Sequence, residues 1–284
     1  MVYRALIVSM TGLLAGVAAA DDAAPPGLEK SEAWQLEIHP GIWYVGVSGD
    51  IKLPREAPGA NDKTSLRDLN LNSSRISPYG EVNLRKGDWS VAFRGFSYSL
   101  DQGTEMNGTG NVGDVDFGPG TRLDSSLDIT CFEAEGGYRI IHREISPMTG
   151  GGYKLKSDLS AIVGLRVLDL NYSVENTGAG GTGFLVDSAD EFTFHPLVGA
   201  RIKLDFYEDF TIDMRVAGGA LPLTESGSYG VDLVIGGEWR PFDHVGLQIG
   251  YRAMFFGTNS GSDNDEFKFD GSLQGLYAGV SFSF

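Results

Sequence analysis

Glu191-Phe-Thr-Phe-His-Pro-Leu-Val-Gly-Ala-Arg-Ile-Lys-Leu-Asp-Phe206 carries an apolar residue at every second position along its whole length. Phe192, Phe194, Pro196, Val198, Ala200, Ile202, Leu204 and Phe206 occupy consecutive even positions, while Glu191, Thr193, His195, Arg201, Lys203 and Asp205 lie among the odd ones. A helix brings apolar side chains to one face every third or fourth residue; a strict period of two belongs to a β-strand with one apolar and one polar face.

The same period recurs on both sides of this stretch. Tyr207-Glu208-Asp209 reads as a turn into a strand where Phe210, Ile212, Met214 and Val216 oppose Thr211, Asp213 and Arg215. Tyr229, Val231, Leu233, Ile235 and Trp239 oppose Asp232, Glu238 and Arg240; Val245, Leu247, Ile249, Tyr251, Ala253 and Phe255 oppose Gln248 and Arg252. Toward the amino end, strands are expected over about 157–174, where both faces carry apolar residues, and 121–140, whose apolar face changes phase past Cys131. Others are expected over about 89–100, 74–84 and 34–51. In the last of these a one-residue bulge at Pro40-Gly41 would keep Trp34, Leu36 and Ile38 on the same face as Trp43, Val45 and Val47. Arg85-Lys86-Gly87-Asp88 and Pro241 to His244 read as tight turns. Residues 52–73 (with a helical turn near Ser65 to Leu71), 101–120 and 257–270 read as long loops, and Ile141 to Lys156 as a longer turn containing Gly150-Gly151-Gly152.

The tenth strand is Gly271-Ser-Leu-Gln-Gly-Leu-Tyr-Ala-Gly-Val-Ser-Phe-Ser-Phe284. Its last residues resemble the C-terminal assembly signal of bacterial outer-membrane β-barrel proteins, carried here by Gly279, Phe282 and Phe284. Tyr277 departs from that pattern, which more usually has a polar or charged residue there. The resemblance covers Trp34 to Phe284 and singles out no subfamily. It implies an all-β fold: a transmembrane antiparallel up-and-down barrel of about ten strands, with short periplasmic turns and long extracellular loops. It further implies outer-membrane lipid, lipopolysaccharide and the barrel-assembly machinery as partners.

Bulk properties are compatible with this. Met1 to Arg4 is a short basic region, Ala5 to Val17 an apolar run and Ala18-Ala19-Ala20 a small-residue site, so residues 1–20 read as a secretory signal peptide. Residues 21–33 read as a polar leader and 34–284 as the barrel. The formal charge is −16, or −17 once Arg4 leaves with the signal, which argues against a nucleic-acid partner. Cys131 is the only cysteine, so no intrachain disulfide forms. Beyond the signal no apolar run approaches the ~18 residues of a spanning helix, so a membrane-spanning form could only be a barrel. The 40 glycines are roughly twice the usual share and are spread through alternating segments as well as loops.

Parity does not say which face meets lipid, but side-chain type does. Trp34, Trp89, Tyr138, Phe206, Phe210, Trp239 and Phe284 all fall at the short-turn end, where an aromatic girdle at a membrane interface would place them. Glu81, Arg94, Arg122, Asp128, Glu133, Glu135, Arg166, Arg201, Lys203, Asp213, Arg215, Asp232, Glu238 and Arg252 are expected in the lumen. On a lipid face each would cost ~2–4 kcal/mol near the midplane. A soluble periplasmic barrel or sandwich, with an apolar interior and a charged exterior, is the competing arrangement.

No stretch carries a catalytic signature. Gly108 to Gly113 and Gly178 to Gly183 have dinucleotide-binding glycine spacing, but neither leads into a helix that could aim amides at a phosphate. Asp263-Asn264-Asp265-Glu266 is an acidic cluster without the glycine and later glutamate of an EF-hand, so divalent cations bridging surface loops are the ion chemistry it admits. His39 and His195 lie on the polar face, and His142 and His244 in or beside turns, none at metal-ligand spacing. The expectation is a non-enzymatic barrel without cofactor, in a structural, surface-binding or narrow-channel role. A porin-like diffusion channel and a surface hydrolase using His195 are the alternatives.

Overall fold

In the computed structural model, residues 33–56, 61, 63–147, 153–178, 186–207, 209–222 and 226–284 are described. The signal-peptide segment, all but one residue of the polar leader, and Gly150-Gly151-Gly152 lie outside them.

The strands in chain order are β1 (Gln35–Lys52), β2 (Thr64–Ser65), β3 (Arg75–Lys86), β4 (Trp89–Glu105), β5 (Gly110–Val112), β6 (Val115–Phe117), β7 (Arg122–Pro147), β8 (Tyr153–Asn176), β9 (Val186–Phe206), β10 (Phe210–Pro222), β11 (Ser226–Phe242), β12 (Val245–Ser260) and β13 (Phe267–Ser283). Ten of them form one antiparallel ring, which closes where β13 pairs with β1. β2 adds to the upper end of β1, and β5 and β6 form a separate hairpin. Closure is completed by two backbone bonds between Leu36 and Phe284, of 3.1 and 2.9 Å.

The register fixes the tilt. Hydrogen-bonded partners lead from Leu36 to Leu84, Val91, Gly136, Val163 and Val198, then to Gly218, Val231, Phe255, Ser272 and finally Ser48, twelve residues along β1 from the start. A stagger of that size in ten strands corresponds to a tilt of about 40°.

Several strands are longer than their alternation suggested. β7 has 26 residues and β8 has 24, more than twice the ~9–11 that cross a bilayer. Residues 141–147 and 153–156, expected in a turn, belong to the β7–β8 hairpin, and 257–260 and 267–270 extend β12 and β13. The region 101–120 holds the end of β4 and the β5–β6 hairpin. Residues 66–70 form turns, as expected near Ser65 to Leu71.

The expected bulge at Pro40-Gly41 is absent. The pairing of β1 with β3 runs unbroken through Pro40↔Gly80 and Gly41↔Tyr79, and the pairing with β13 keeps the same register on both sides. Nor does β7 change phase at Cys131: Leu123, Leu127, Ile129, Cys131, Glu133 and Glu135 all point inward. The physical cause is common to both strands. The barrel interior is charged at the short-turn end and apolar at the other, so one face carries both kinds of residue.

Candidate functional site

In the lower part of the barrel, toward the short turns, the outer face is apolar. Val163, Val198 and Ile249 are 62%, 65% and 63% exposed, with Leu165, Leu233, Ile235 and Leu276 also exposed around the ring. Monomers in water rarely expose an apolar belt of this extent. Against hydrocarbon, each such side chain is stabilised by roughly 1.5–3 kcal/mol.

Inside this belt lies a layer of ion pairs. Arg166, fully buried, donates to Glu133 and Asp232 at 2.7 Å each. Arg215 donates to Glu135 at 2.8 Å and Asp232 at 3.0 Å, and Arg252 to Glu133 at 2.8 Å and Asp232 at 2.5 Å. Arg94 joins Glu81 at 2.8 Å to Glu135 at 3.1 Å, and Arg201 bonds Asp213 and reaches Glu81 at 3.4 Å. Lys203 meets Glu37 at 3.5 Å, and Glu238 accepts from Ser281 at 2.7 Å. Desolvating any one of these charges alone costs several kcal/mol; mutual pairing across strands makes their burial tolerable.

Twelve of the fourteen residues expected in the lumen therefore sit on the inward face. Arg122 and Asp128 do not. Arg122 has a side chain 67% exposed and pairs with Asp124 on the outer surface, and Asp128 shares the outward parity with it. Both lie high on β7, where the inner face is apolar and the outer face polar.

That apolar interior fills the upper barrel. Trp43, Val45, Val47, Phe96, Tyr98, Leu100, Leu127, Ile129, Leu168, Leu170, Tyr172, Phe256, Phe269 and Leu273 form one buried cluster. Leu53, Leu66, Leu69 and Leu71 join it from the 53–74 connection, and Val112 and Val115 from the β5–β6 hairpin. Trp43 and Phe96 meet edge-on at 5.0 Å, and Phe256 and Phe269 stack at 5.1 Å. The hairpin is tied across the mouth by buried Arg55, which donates to Gly113 O at 2.5 Å and Asp116 at 2.9 Å, while Asp187 accepts from the Asp114 amide at 3.0 Å. This plug was not read from the sequence. Its signal was there in the continued odd parity from Glu135 up to Leu123.

Between the charged and apolar layers sits Arg252, with its guanidinium 5.4–5.8 Å from the Trp43, Tyr79 and Phe96 rings. Below it, two cavities of about 50 and 40 Å³ lie among the charged side chains, each with room for a few waters. His195 is fully buried, and neither ring nitrogen finds a hydrogen-bond partner; Arg166 Nη1 is likewise unpartnered. Both atoms border Gly230, where a Cβ would lie 2.7 Å from His195 Nε2 and 3.0 Å from Arg166 Nη1.

The terminal aromatics gather at the short-turn end. Trp34, Trp89, Tyr138, Phe210, Trp239 and Phe284 are exposed and Phe206 is partly so, with Trp89 against Tyr138 at 4.8 Å and Phe206 against Phe210 at 6.3 Å. Gly279 pairs with Gly41, and Phe282 with Ile38 and Val245.

Among the described residues, several of the remaining candidates are engaged in internal contacts. Gly108 to Gly113 lead into the β5–β6 hairpin, and in the second glycine-rich stretch all residues after Gly178 lie outside the described residues. In the acidic cluster, Glu266 accepts from Lys52 at 2.7 Å and the Asn264 carbonyl from the Arg55 amide at 2.6 Å. His142 lies inside β7, not in a turn, and bonds Asp158 at 2.6 Å; His244 bonds Ser283 O at 2.8 Å. Among the described residues no group of three or more His, Cys, Asp or Glu side chains is arranged to hold a metal ion.

No family model matches the chain, and neither does any curated protein. Among solved structures, the outer-membrane protease OmpT from Escherichia coli is 10% identical, covering 88% of this chain and 97% of that one, with a TM-score of 0.48. Neisserial surface protein A is 14% identical over 89% and 100%, with a TM-score of 0.37. Ail, the attachment invasion locus protein of Yersinia pestis, is 12% identical over 88% and 99%, with a TM-score of 0.34. Likenesses this distant carry no argument about the residues or activity of this chain, whose reading rests on its own geometry.

Proposed function

We propose that the protein is an integral outer-membrane β-barrel, not an enzyme, whose sealed lumen supports a surface-binding platform above the bilayer. The observation that carries this is the two-layer filling of the barrel, with an ion-paired layer at bilayer level and an apolar plug above it. A solute passing through would have to break buried ion pairs worth several kcal/mol each and then cross a dry aromatic core. The strands continue well past the bilayer and are covered outside by polar residues such as Ser126, Asp128 and Asp169, which suits a stiff support for exposed loops.

In this reading the exposed apolar belt meets lipid. Trp89, Tyr138, Trp239 and Phe284 lie at the periplasmic interface, where amphipathic rings are favoured. Gly279, Phe282 and Phe284 serve recognition by the barrel-assembly machinery, and lipopolysaccharide surrounds the outer end, where divalent cations can bridge acidic loops.

The test is conductance in planar bilayers, using protein whose folded band shifts on boiling. The sealed-lumen reading expects no reproducible steps. Regular unitary steps would replace it with the porin-like reading.

A further inference from the structure

The wall of the barrel has a seam. The β9–β10 ladder ends at Val198↔Gly218, yet β9 continues up to Val186 and β10 to Pro222. Pro196, which lacks an N–H and cannot donate to a ladder, lies two residues beyond the last pair. Above this point β9 faces β11 and β12 without a ladder, tied by Ser228 Oγ donating to Phe194 O at 3.4 Å and Ser260 Oγ donating to Glu191 at 3.0 Å. Between them is a cleft of about 130 Å³, lined in part by Phe192, Thr193, Phe194, Ser228, Thr258 and Asn259.

The cleft is built for a polar guest. Thr193 Oγ1 and Thr258 Oγ1 are both buried without a hydrogen-bond partner, and Thr258 is only 6% exposed. A buried hydroxyl left unpaired costs about 1–3 kcal/mol. A purely apolar guest would leave that cost in place. An anion would meet the Glu191 carboxylate and find no cationic side chain in the lining. The combination that fits is a neutral ring bearing hydroxyls, seated in the gap of the wall with its C–H face toward the outward-facing Phe192 and Phe194 and its inner hydroxyls toward the inward-facing Thr193 and Thr258. The cleft also opens where the outer face of β9 passes from Phe194 and Phe192 to Asp190, at the water edge of the lipid-facing belt.

We infer that this seam cleft binds a sugar ring, either of a free oligosaccharide or of a glycolipid in the outer leaflet. The inference rests on the surface-binding reading above and names its ligand chemistry. It is tested separately from conductance, so a conducting barrel and a non-binding cleft are distinguishable results.

The experiment uses the full chain, folded in an amine-oxide detergent because maltoside detergents would compete. Binding of maltotriose is measured by saturation-transfer NMR. In parallel, the chain in phospholipid vesicles with and without rough-form lipopolysaccharide is assayed for retention of that glycolipid. Saturable binding in the first arm assigns a free glycan, and binding in the second alone assigns a glycolipid; both are expected to weaken at least tenfold in Thr193→Val/Thr258→Val. The single Thr258→Val is read instead if the double variant loses its heat-shifted band. No binding in either arm, or undiminished binding by a folded valine variant, overturns the inference.

Discussion

The guanidinium of Arg252 lies 5.5 Å from the centroid of the Trp43 ring. On its other side it holds Asp232 and Glu133, so one side chain joins the charged layer to the aromatic plug. Replacing it with methionine keeps the bulk against Trp43 but leaves Asp232 and Glu133, still held by Arg166, in a buried layer one cation short. Arg252→Met is expected to cost about 3–5 kcal/mol, measured by urea unfolding in micelles with the heat-shifted band as readout. A loss below about 1 kcal/mol would mean that the pairing contributes little.

Gly49 has φ +145°, and a Cβ there would fall 2.2 Å from the Asp270 carbonyl on the neighbouring strand. Both features exclude other residues. Gly49→Ala is expected to destabilise by about 1–3 kcal/mol, whereas Gly80→Ala, with open space at its Cβ position, should change stability little. The two variants compared in one unfolding series separate local strain from a general dislike of alanine in these strands.

The ring itself was legible from Phe192 to Phe206 outward, because an apolar outer belt over a charged interior alternates strictly and the tight turns at Gly87-Asp88 and Asp243-His244 punctuate it. What misled was the upper barrel. At Trp43 and at Cys131 the inward face passes from charged to apolar, and a period-two pattern cannot tell that exchange from a bulge or a phase change. The same exchange put Arg122 and Asp128 in the lumen on paper and on the outer surface in the fold. The polar outer residues of β12 and β13 beyond the apolar belt, such as Asn259, Lys268 and Asp270, resemble loop composition, which makes those strands look shorter in the sequence. The seam had one visible sign, Pro196 in an otherwise regular strand.

At the barrel end away from the short turns, Lys63 donates to Asp270 at 2.8 Å. Partial burial alone would raise the Asp270 carboxyl, but the hydrogen bond and charge of Lys63 outweigh it and hold the group below the usual aspartate range. A lowered folded value means that this link stabilises the connection above about pH 4, the ordinary aspartate value, and is lost as pH falls through the folded value. Carboxyl NMR should find the Asp270 midpoint below that of a free aspartate in the parent and raised in Lys63→Met. An unmoved midpoint would detach the shift from Lys63.

Deleting Phe284 removes both closing backbone bonds to Leu36 and the last ring of the terminal strand. The truncated chain is expected to cross the inner membrane normally but to reach the outer membrane at several-fold lower levels, as read by fractionation. Equal surface levels would separate Phe284 from assembly.

The exchange of faces along each strand is simplest to follow on β8, with Val163, Leu165 and Val167 outward below Asp169 and Asn171. Nitroxides placed singly at these five positions in a Cys131→Ser background, in lipid vesicles, report oxygen against aqueous nickel accessibility. The expected profile is oxygen-rich through Val167 and nickel-rich from Asp169 onward. Nickel access at Val163 and Leu165 equal to that at Asn171 would place the belt in water and contradict a membrane-spanning barrel.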